Sequence, residues 1–139
     1  MKVANMSGKR KEAIARATVQ EGKGRLRING KLLEAFTGNR IAQLRIKEPL
    51  IIAGDLAKKT DIAVNVHGGG FKAQADAIRL SIAKALVKFS GSAPLKKQFL
   101  AYDRQMMVAD VRRKETRKPN DSKARAKRQT SYRWGYEKW

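Results

Sequence analysis

The sequence predicts an α+β domain over residues 1–111 followed by an extended basic tail over residues 112–139. Three observations lead there. Apolar and polar residues alternate through Arg25-Leu26-Arg27-Ile28 and again from Asp61 to His67, the period of half-buried strands. Phe71, Ala75, Ile78, Ile82, Ala85, Leu86 and Phe89 recur at three and four residues, the period of a core-facing helix. Residues 112–133 then carry ten Lys or Arg against two acids, with no aliphatic side chain larger than Ala.

Taken in order, Ala13 to Val19 contains the β-branched Ile14, Thr18 and Val19 and reads as a strand. Gln20 to Gly24 is the expected hairpin loop into the strand Arg25–Ile28, and Asn29-Gly30 is the dipeptide most favoured at a tight turn with positive φ. The first third is therefore expected to be an antiparallel meander. Ile41 and Leu44, three residues apart, suggest a helix with Ile46 off its apolar face. Pro49 suits the first turn of a second helix. Leu50, Ile51, Ala53, Leu56 and Ala57 follow it, and Lys58-Lys59 would complement its C-terminal end. Ile62, Val64 and Val66 mark the next strand. In the long helix, Lys72, Arg79 and Lys88 lie off the apolar stripe; Gly91 stops it and Pro94 opens a shorter helix over Leu95 to Tyr102. Past Val111 the core pattern ends. No internal repeat is present.

The tail sequence cannot fold alone. Ordering a residue's backbone costs roughly 1–2 kcal/mol, and burying Ala124 and Ala126 does not offset that over such a stretch. Such a segment stays solvated or is ordered by a partner of dense negative charge, and nucleic acid supplies closely spaced phosphates. The rest of the chain is basic too: residues 1–111 hold twenty-one Lys or Arg against nine acids, within an overall net charge of +20. Solubility alone does not call for charge of one sign. The absence of cysteine removes disulfides, thiolate zinc sites and a cysteine nucleophile. Met1 to Arg10 lacks a signal peptide's apolar stretch, and the run Leu50-Ile51-Ile52-Ala53 is far short of the ~20 residues that span a bilayer. A soluble, intracellular, polyanion-binding chain is expected.

Gly68-Gly69-Gly70 joins the clear strand to the long helix. Glycines there permit positive φ, and the N–H groups opening the helix would suit a phosphate, although a plain turn explains the same residues. Enzymatic readings of this stretch fail. Gly68 to Ala73 fits a loose dinucleotide fingerprint, but no second apolar strand ending in Asp or Glu follows to hold a ribose. His67-Gly68-Gly69-Gly70 resembles an esterase oxyanion motif, yet no GxSxG elbow exists and His67 is the sole histidine. Gly8-Lys9 and Gly30-Lys31 lack the upstream glycine of a nucleotide P-loop. No catalytic constellation, metal site, cofactor or small-molecule substrate is expected. Gly8-Lys9-Arg10-Lys11, with Arg16, Lys23, Arg25 and Arg27, suggests a cationic flank on the sheet; such clusters position a protein on phosphates without reading sequence.

Three separated stretches together resemble one family. They are Gly8 to Ala17 (GKRKEAIARA); Gly68 through Ser81 with Ala83-Lys84-Ala85-Leu86; and Asp103-Arg104 with Ala124 to Arg133 (ARAKRQTSYR). The chain is similar to the small-subunit ribosomal protein S-nine family, in wording closer to its archaeal and eukaryotic branch. The resemblance covers residues 7–133. It implies a four-stranded, mainly antiparallel sheet with helices packed on it, and a left-handed βαβ crossover that pattern alone would not suggest. It further implies a cytoplasmic ribosomal location: a seat in the head of the small subunit, on the 3′ major domain of its rRNA and beside neighbouring head proteins. From there the tail would reach the anticodon stem-loop of the P-site tRNA.

On this reading, rRNA contacts are expected from Lys9, Arg10, Lys11, Arg16, Arg25, Arg27, Gly68, Gly69, Gly70, Lys72, Arg79, Arg112, Arg113, Lys114, Arg117, Lys118, Lys123 and Arg125. The tRNA-facing residues implied by the resemblance are Lys127, Arg128, Gln129, Ser131, Tyr132 and Arg133. The family typically ends at the arginine matching Arg133, whereas this chain continues through Trp134-Gly135-Tyr136-Glu137-Lys138-Trp139. That moves the terminal carboxylate away from Arg133 and offers Trp134, Tyr136 and Trp139 for stacking on a base or ribose. Two rival readings are an architectural DNA-binding protein and a cationic membrane-active protein. The second is disfavoured because the tail has no amphipathic apolar face.

Overall fold

The computed structural model describes residues 1–120 together with Ala124 and Arg125. Its frame is a hairpin of β1 (Val3–Arg10) and β2 (Ala13–Glu21), paired antiparallel from Val3↔Gln20 to Arg10↔Ala13. Lys11, at φ 52°, begins the two-residue turn. The strand β5 (Thr60–His67) pairs antiparallel with β2, and β3 (Leu26–Ile28) runs parallel to β5 on its other side. A two-residue strand, β4 (Lys31–Leu32), pairs with β3 at the edge. Among the described residues the sheet order is β1-β2-β5-β3-β4.

Two sequence expectations change here. The sheet has five strands rather than four, because the Asn29-Gly30 turn returns the chain long enough for Lys31 and Leu32 to pair. The turn itself is as expected, with φ of 52° and 77°. The meander is not formed: β2 and β3 are separated by β5, so Glu21 to Arg25 is a connection between non-neighbours and not a hairpin loop. The β2–β3 link spans the width of β5 and is held by Asp61, whose Oδ1 accepts from the N–H groups of Lys23 (2.9 Å) and Arg25 (3.0 Å). Those two hydrogen bonds hold the Asp61 carboxyl below its ordinary pKa, outweighing its slight desolvation. Asn29 extends the β3–β5 seam past the end of β3. Its side chain donates to the Val66 carbonyl (3.1 Å) and accepts from the Val66 N–H (2.9 Å).

The chain crosses from β3 to β5 by way of α1 (Leu33–Phe36), α2 (Arg40–Ala53) and α3 (Asp55–Lys58). Asn39 caps α2 by accepting from the N–H groups of Ile41 and Ala42. Pro49 does not start a helix; it lies inside α2, which runs without a break to Gly54. Its face is also the reverse of the expected one. Ala42, Ile46 and Pro49, at i, i+4 and i+7, are buried, while Ile41 and Leu44 are exposed.

The long helix α4 (Phe71–Ser90) lies across β1 and β2, buried along Ala75, Ile78, Ile82, Ala85, Leu86 and Phe89 as the stripe predicts; Phe71 alone of that stripe is exposed. Gly91 ends it in the left-handed conformation, and Ser92 caps α5 (Ala93–Tyr102) with Pro94 in its first turn. The core runs between α4 and the sheet and continues among α4, α2 and α5, where Leu95, Phe99 and Met106 are buried. Beneath α4 the sheet presents Ala13, Ala15 and Ala17 from β2, and Gly8 from β1. A Cβ at Gly8 would stand 2.6 Å from the Ala77 carbonyl oxygen and 2.9 Å from the Ser81 nitrogen. Small side chains therefore set how closely the helix approaches.

Candidate nucleic-acid interface

With the helices packed on one side of the sheet, the alternation of each strand sends its polar members to the other side. In register, Lys9 stands with Ile14 and His67, Arg16 with Ser7 and Asn65, and Arg27 with Ala63, which itself faces Thr18 and Asn5. Lys9, Arg16 and Arg27 thus step diagonally across the open face, one pleat row at a time, and all three are exposed. Arg25 is exposed just before the start of β3. Of the sheet-side cations expected from the sequence, Lys9, Arg16, Arg25 and Arg27 share one surface, whereas Lys23 stands instead beside α2 and α3.

That surface continues over the β1–β2 turn into a groove of about 700 Å³. Its lining brings together Lys9, Arg10 and Lys11 from the hairpin, Gly69 and Gly70 from the strand-to-helix turn, and Arg112, Arg113 and Lys114 from beyond the core. The glycines are required sterically. At Gly68, φ is 77° and a Cβ would lie 2.6 Å from the Glu12 carbonyl oxygen; at Gly69, φ is 64° and a Cβ would lie 3.0 Å from the Ala13 nitrogen. The turn can therefore press against the hairpin and carry the first N–H groups of α4 to the groove, where Ala73 also lines the wall. Gln74 closes the same turn by donating to the Gly68 carbonyl (3.0 Å).

The cations here do two jobs. Arg10 and Arg112 both grip Asp110, Arg112 through Nη2 at 2.9 Å and Nε at 3.1 Å to one carboxylate oxygen. Arg10 also lies 3.9 Å from Asp76, whose other oxygen accepts from Arg45 at 2.6 Å. Arg113 donates to the carbonyls of Asp110 (2.7 Å) and Arg112 (2.9 Å). These arginines fix where the chain leaves the domain. Lys9, Lys11 and Lys114 are exposed and have no carboxylate within 4.0 Å among the described residues, so their charge faces solvent. Asp110, the anchor, gave no sequence signal beyond being a lone acid just ahead of a basic run.

Several expected residues stand elsewhere. Arg79 is not a surface cation; its side chain is 8% exposed and Nη2 reaches Glu48 at 2.7 Å and Asp103 at 2.9 Å, tying α4 to α2 and to the end of α5. Burial of a guanidinium requires such carboxylate partners, and it leaves none of its charge for a phosphate. Burial pushes the Asp103 carboxyl upward, but the Gln105 N–H and Arg79 outweigh this and hold its pKa below the ordinary value. Lys72 is exposed at the start of α4, on a separate recess with Phe71 and Arg45. Arg117 and Lys118 are exposed, and Arg125 pairs with Glu115 (3.0 Å). Lys123, Lys127, Arg128, Gln129, Ser131, Tyr132, Arg133 and the Trp134–Trp139 hexapeptide lie outside the described residues.

The family profile described as ribosomal protein S9/S16 matches residues 8–133, from Gly8 at the helix–sheet seam to Arg133. This chain belongs to the ribosomal protein S9/S16 family. It is 47% identical over 135 residues to the small ribosomal subunit protein uS9 of Methanococcus maripaludis strain C7, covering 96% of this chain and all of that protein. The uS9 proteins of strains S2 and C5 of the same species match to the same extent. In this chain the open face of the sheet and the groove where residue 112 leaves the domain both carry exposed cations. Among the described residues no group of three His, Cys, Asp or Glu could hold a metal ion, and no helix is long and apolar enough to cross a membrane.

Proposed function

We propose that this chain is a structural constituent of the small ribosomal subunit in the cytoplasm, seated in the head on the 3′ major domain of the rRNA. Its globular part, residues 1–111, anchors through Lys9, Lys11, Arg16, Arg25, Arg27 and Lys114, with Gly69 and Gly70 bringing backbone N–H groups close. Its tail, residues 112–139, runs extended from that groove, neutralises phosphates through Arg117, Lys118, Lys123 and Arg125, and turns Lys127, Arg128, Gln129, Ser131, Tyr132 and Arg133 toward the P-site tRNA. The crossover from β3 to the parallel β5 is read as left-handed, as the family resemblance implies. The observation that carries this reading is the convergence of the β1–β2 hairpin cations and the tail root on one groove, at the Lys9 end of the sheet-face diagonal, whose lysines lack carboxylate partners among the described residues. A polyanion laid across the domain would be handed directly to the tail, each neutralised phosphate releasing counterions.

Removal of residues 112–139 tests it. If about half the tail's cations meet phosphates, the slope of log K against log salt for small-subunit rRNA falls by roughly 3–5 units, while the domain still binds. An unchanged slope would reject the role given to the tail. Sedimentation with small subunits should vanish on RNase treatment; a mainly DNA-bound pool would favour an architectural protein.

A further inference from the structure

A second concavity is built on different chemistry. It lies between α2–α3 and the Gly22–Arg25 segment, and its floor is aliphatic: Leu26, Leu50, Ile51 and Ile62. Lys23, Arg25, Lys47 and Lys58 stand around it. Ile51 is 72% exposed, and Leu44, seven residues and two helical turns earlier, extends the apolar strip along the same side of α2 at 51%. Both sit where a polar residue would serve a helix that met only water, and exposed apolar side chains at the edge of an aliphatic concavity suit a protein partner.

The charge around that floor is cationic and only loosely met from within. Lys47, half-buried, is 3.9 Å from Glu34 and Lys58 is 4.0 Å from Asp55, with Glu34, Lys58 and Asp55 largely exposed. Asp61, the remaining acid beside the groove, accepts from backbone N–H groups and is committed to holding the loop. A phosphate backbone would gain from the rim but nothing from a floor without aromatic rings or hydrogen-bond donors. An acidic polypeptide carrying one apolar side chain satisfies both parts. The groove beside Lys9 and Lys114 is the opposite case, floored by glycine and backbone.

We propose that this groove docks an acidic segment of another ribosomal protein, which lays an apolar side chain over Leu50 and Ile51 and sets carboxylates against Lys23, Lys47 and Lys58. The inference rests on the chain's seat in the small subunit and is independent of the path of the tail. The test uses purified small subunits containing the full chain, whose sedimentation first checks that seat. A thiol at Ile51→Cys should react with maleimide about tenfold more slowly in the particle than in the free chain, since an interface core excludes water. A benzophenone side chain at position 51 should crosslink to a protein peptide holding at least two acids near a Leu, Ile, Phe or Met. Lys47→Glu with Lys58→Glu should return the Ile51→Cys thiol to the free-chain rate, because like charges repel across the contact. Crosslinks to rRNA or to the chain's own C-terminal hexapeptide, undiminished thiol reactivity in sedimenting particles, or protection indifferent to the charge reversal would each overturn the proposal.

Discussion

Gly8 and Lys9 are neighbours on one strand and obey opposite rules. Gly8 faces the helices, where a single added carbon would collide with the backbone of α4. Lys9 faces the open side, where it meets solvent and the edge of the groove. On the covered side the determinant is size: Ala13, Ala15 and Ala17 continue the same narrow seam, and Val19 fills it at the far end. On the open side the determinant is charge, and Lys9, Arg16 and Arg27 are placed by pleat register with little packing around them. The difference teaches which residues shape the platform and which use it. A variant on one side should change stability and spare RNA affinity; a variant on the other should do the reverse.

Arg79 tests that division hardest, being a cation on the packed side. Arg79→Ala leaves Glu48 and Asp103 without their counter-ion and should cost about 3 kcal/mol of unfolding free energy, read from denaturant midpoints. The folded fraction should keep its rRNA affinity; a lost affinity at full stability would return Arg79 to the interface. Gly8→Ala comes next, with a loss of about 2 kcal/mol from overpacking against Ala77 and Ser81. Its RNA binding should match the parent chain below the unfolding transition.

On the open side, Lys9→Ala and Arg16→Ala should each weaken rRNA binding about fivefold, lower the salt slope by about 1, and leave the melting temperature within a degree or two. Unequal effects on unrelated RNA sequences would argue for base reading over phosphate contact. The smallest effect concerns pH. Asp103 has its pKa lowered in the folded chain, so its stabilising contribution is fully present above the ordinary carboxylate value of 3.8 and lost as pH falls through the lower folded value. Asp103→Asn should therefore flatten the acid limb of the stability curve below that value and leave the shape above pH 5 unchanged.

The sequence was legible where structure is local. Asn29-Gly30 announces its own turn, the stripe from Ala75 to Phe89 specifies one helix, and the alternation of Ile62, Val64 and Val66 marks β5. It was silent where small residues carry the packing. The inward residues of β1 are Ala4, Met6 and Gly8, too weakly apolar to reveal a strand of eight residues. The insertion of β5 between β2 and β3 is a long-range choice that no local pattern encodes, so a loop rich in glycine passed for a hairpin. Pro49 looked like a beginning because the first turn is its commonest helical place; here it lies buried on the inner side of α2. Of the groove's lining, Lys9, Arg10, Lys11, Gly69, Gly70, Arg112, Arg113 and Lys114 could be named from the sequence. That Arg10 would be occupied by Asp110, and Arg79 by Glu48 and Asp103, depended on partners far away in the chain.

Asp110 has one more consequence. Clasped between Arg10 of the first hairpin and Arg112, it acts as a guide eyelet for everything that follows. A polyelectrolyte strand leaving a surface without such a fixing would sweep a hemisphere, and most of its encounters with RNA would begin in the wrong direction. Held at this point, residues 112–114 leave the domain on one bearing alongside the lysines of the groove, so under the proposed function they would meet RNA already aligned.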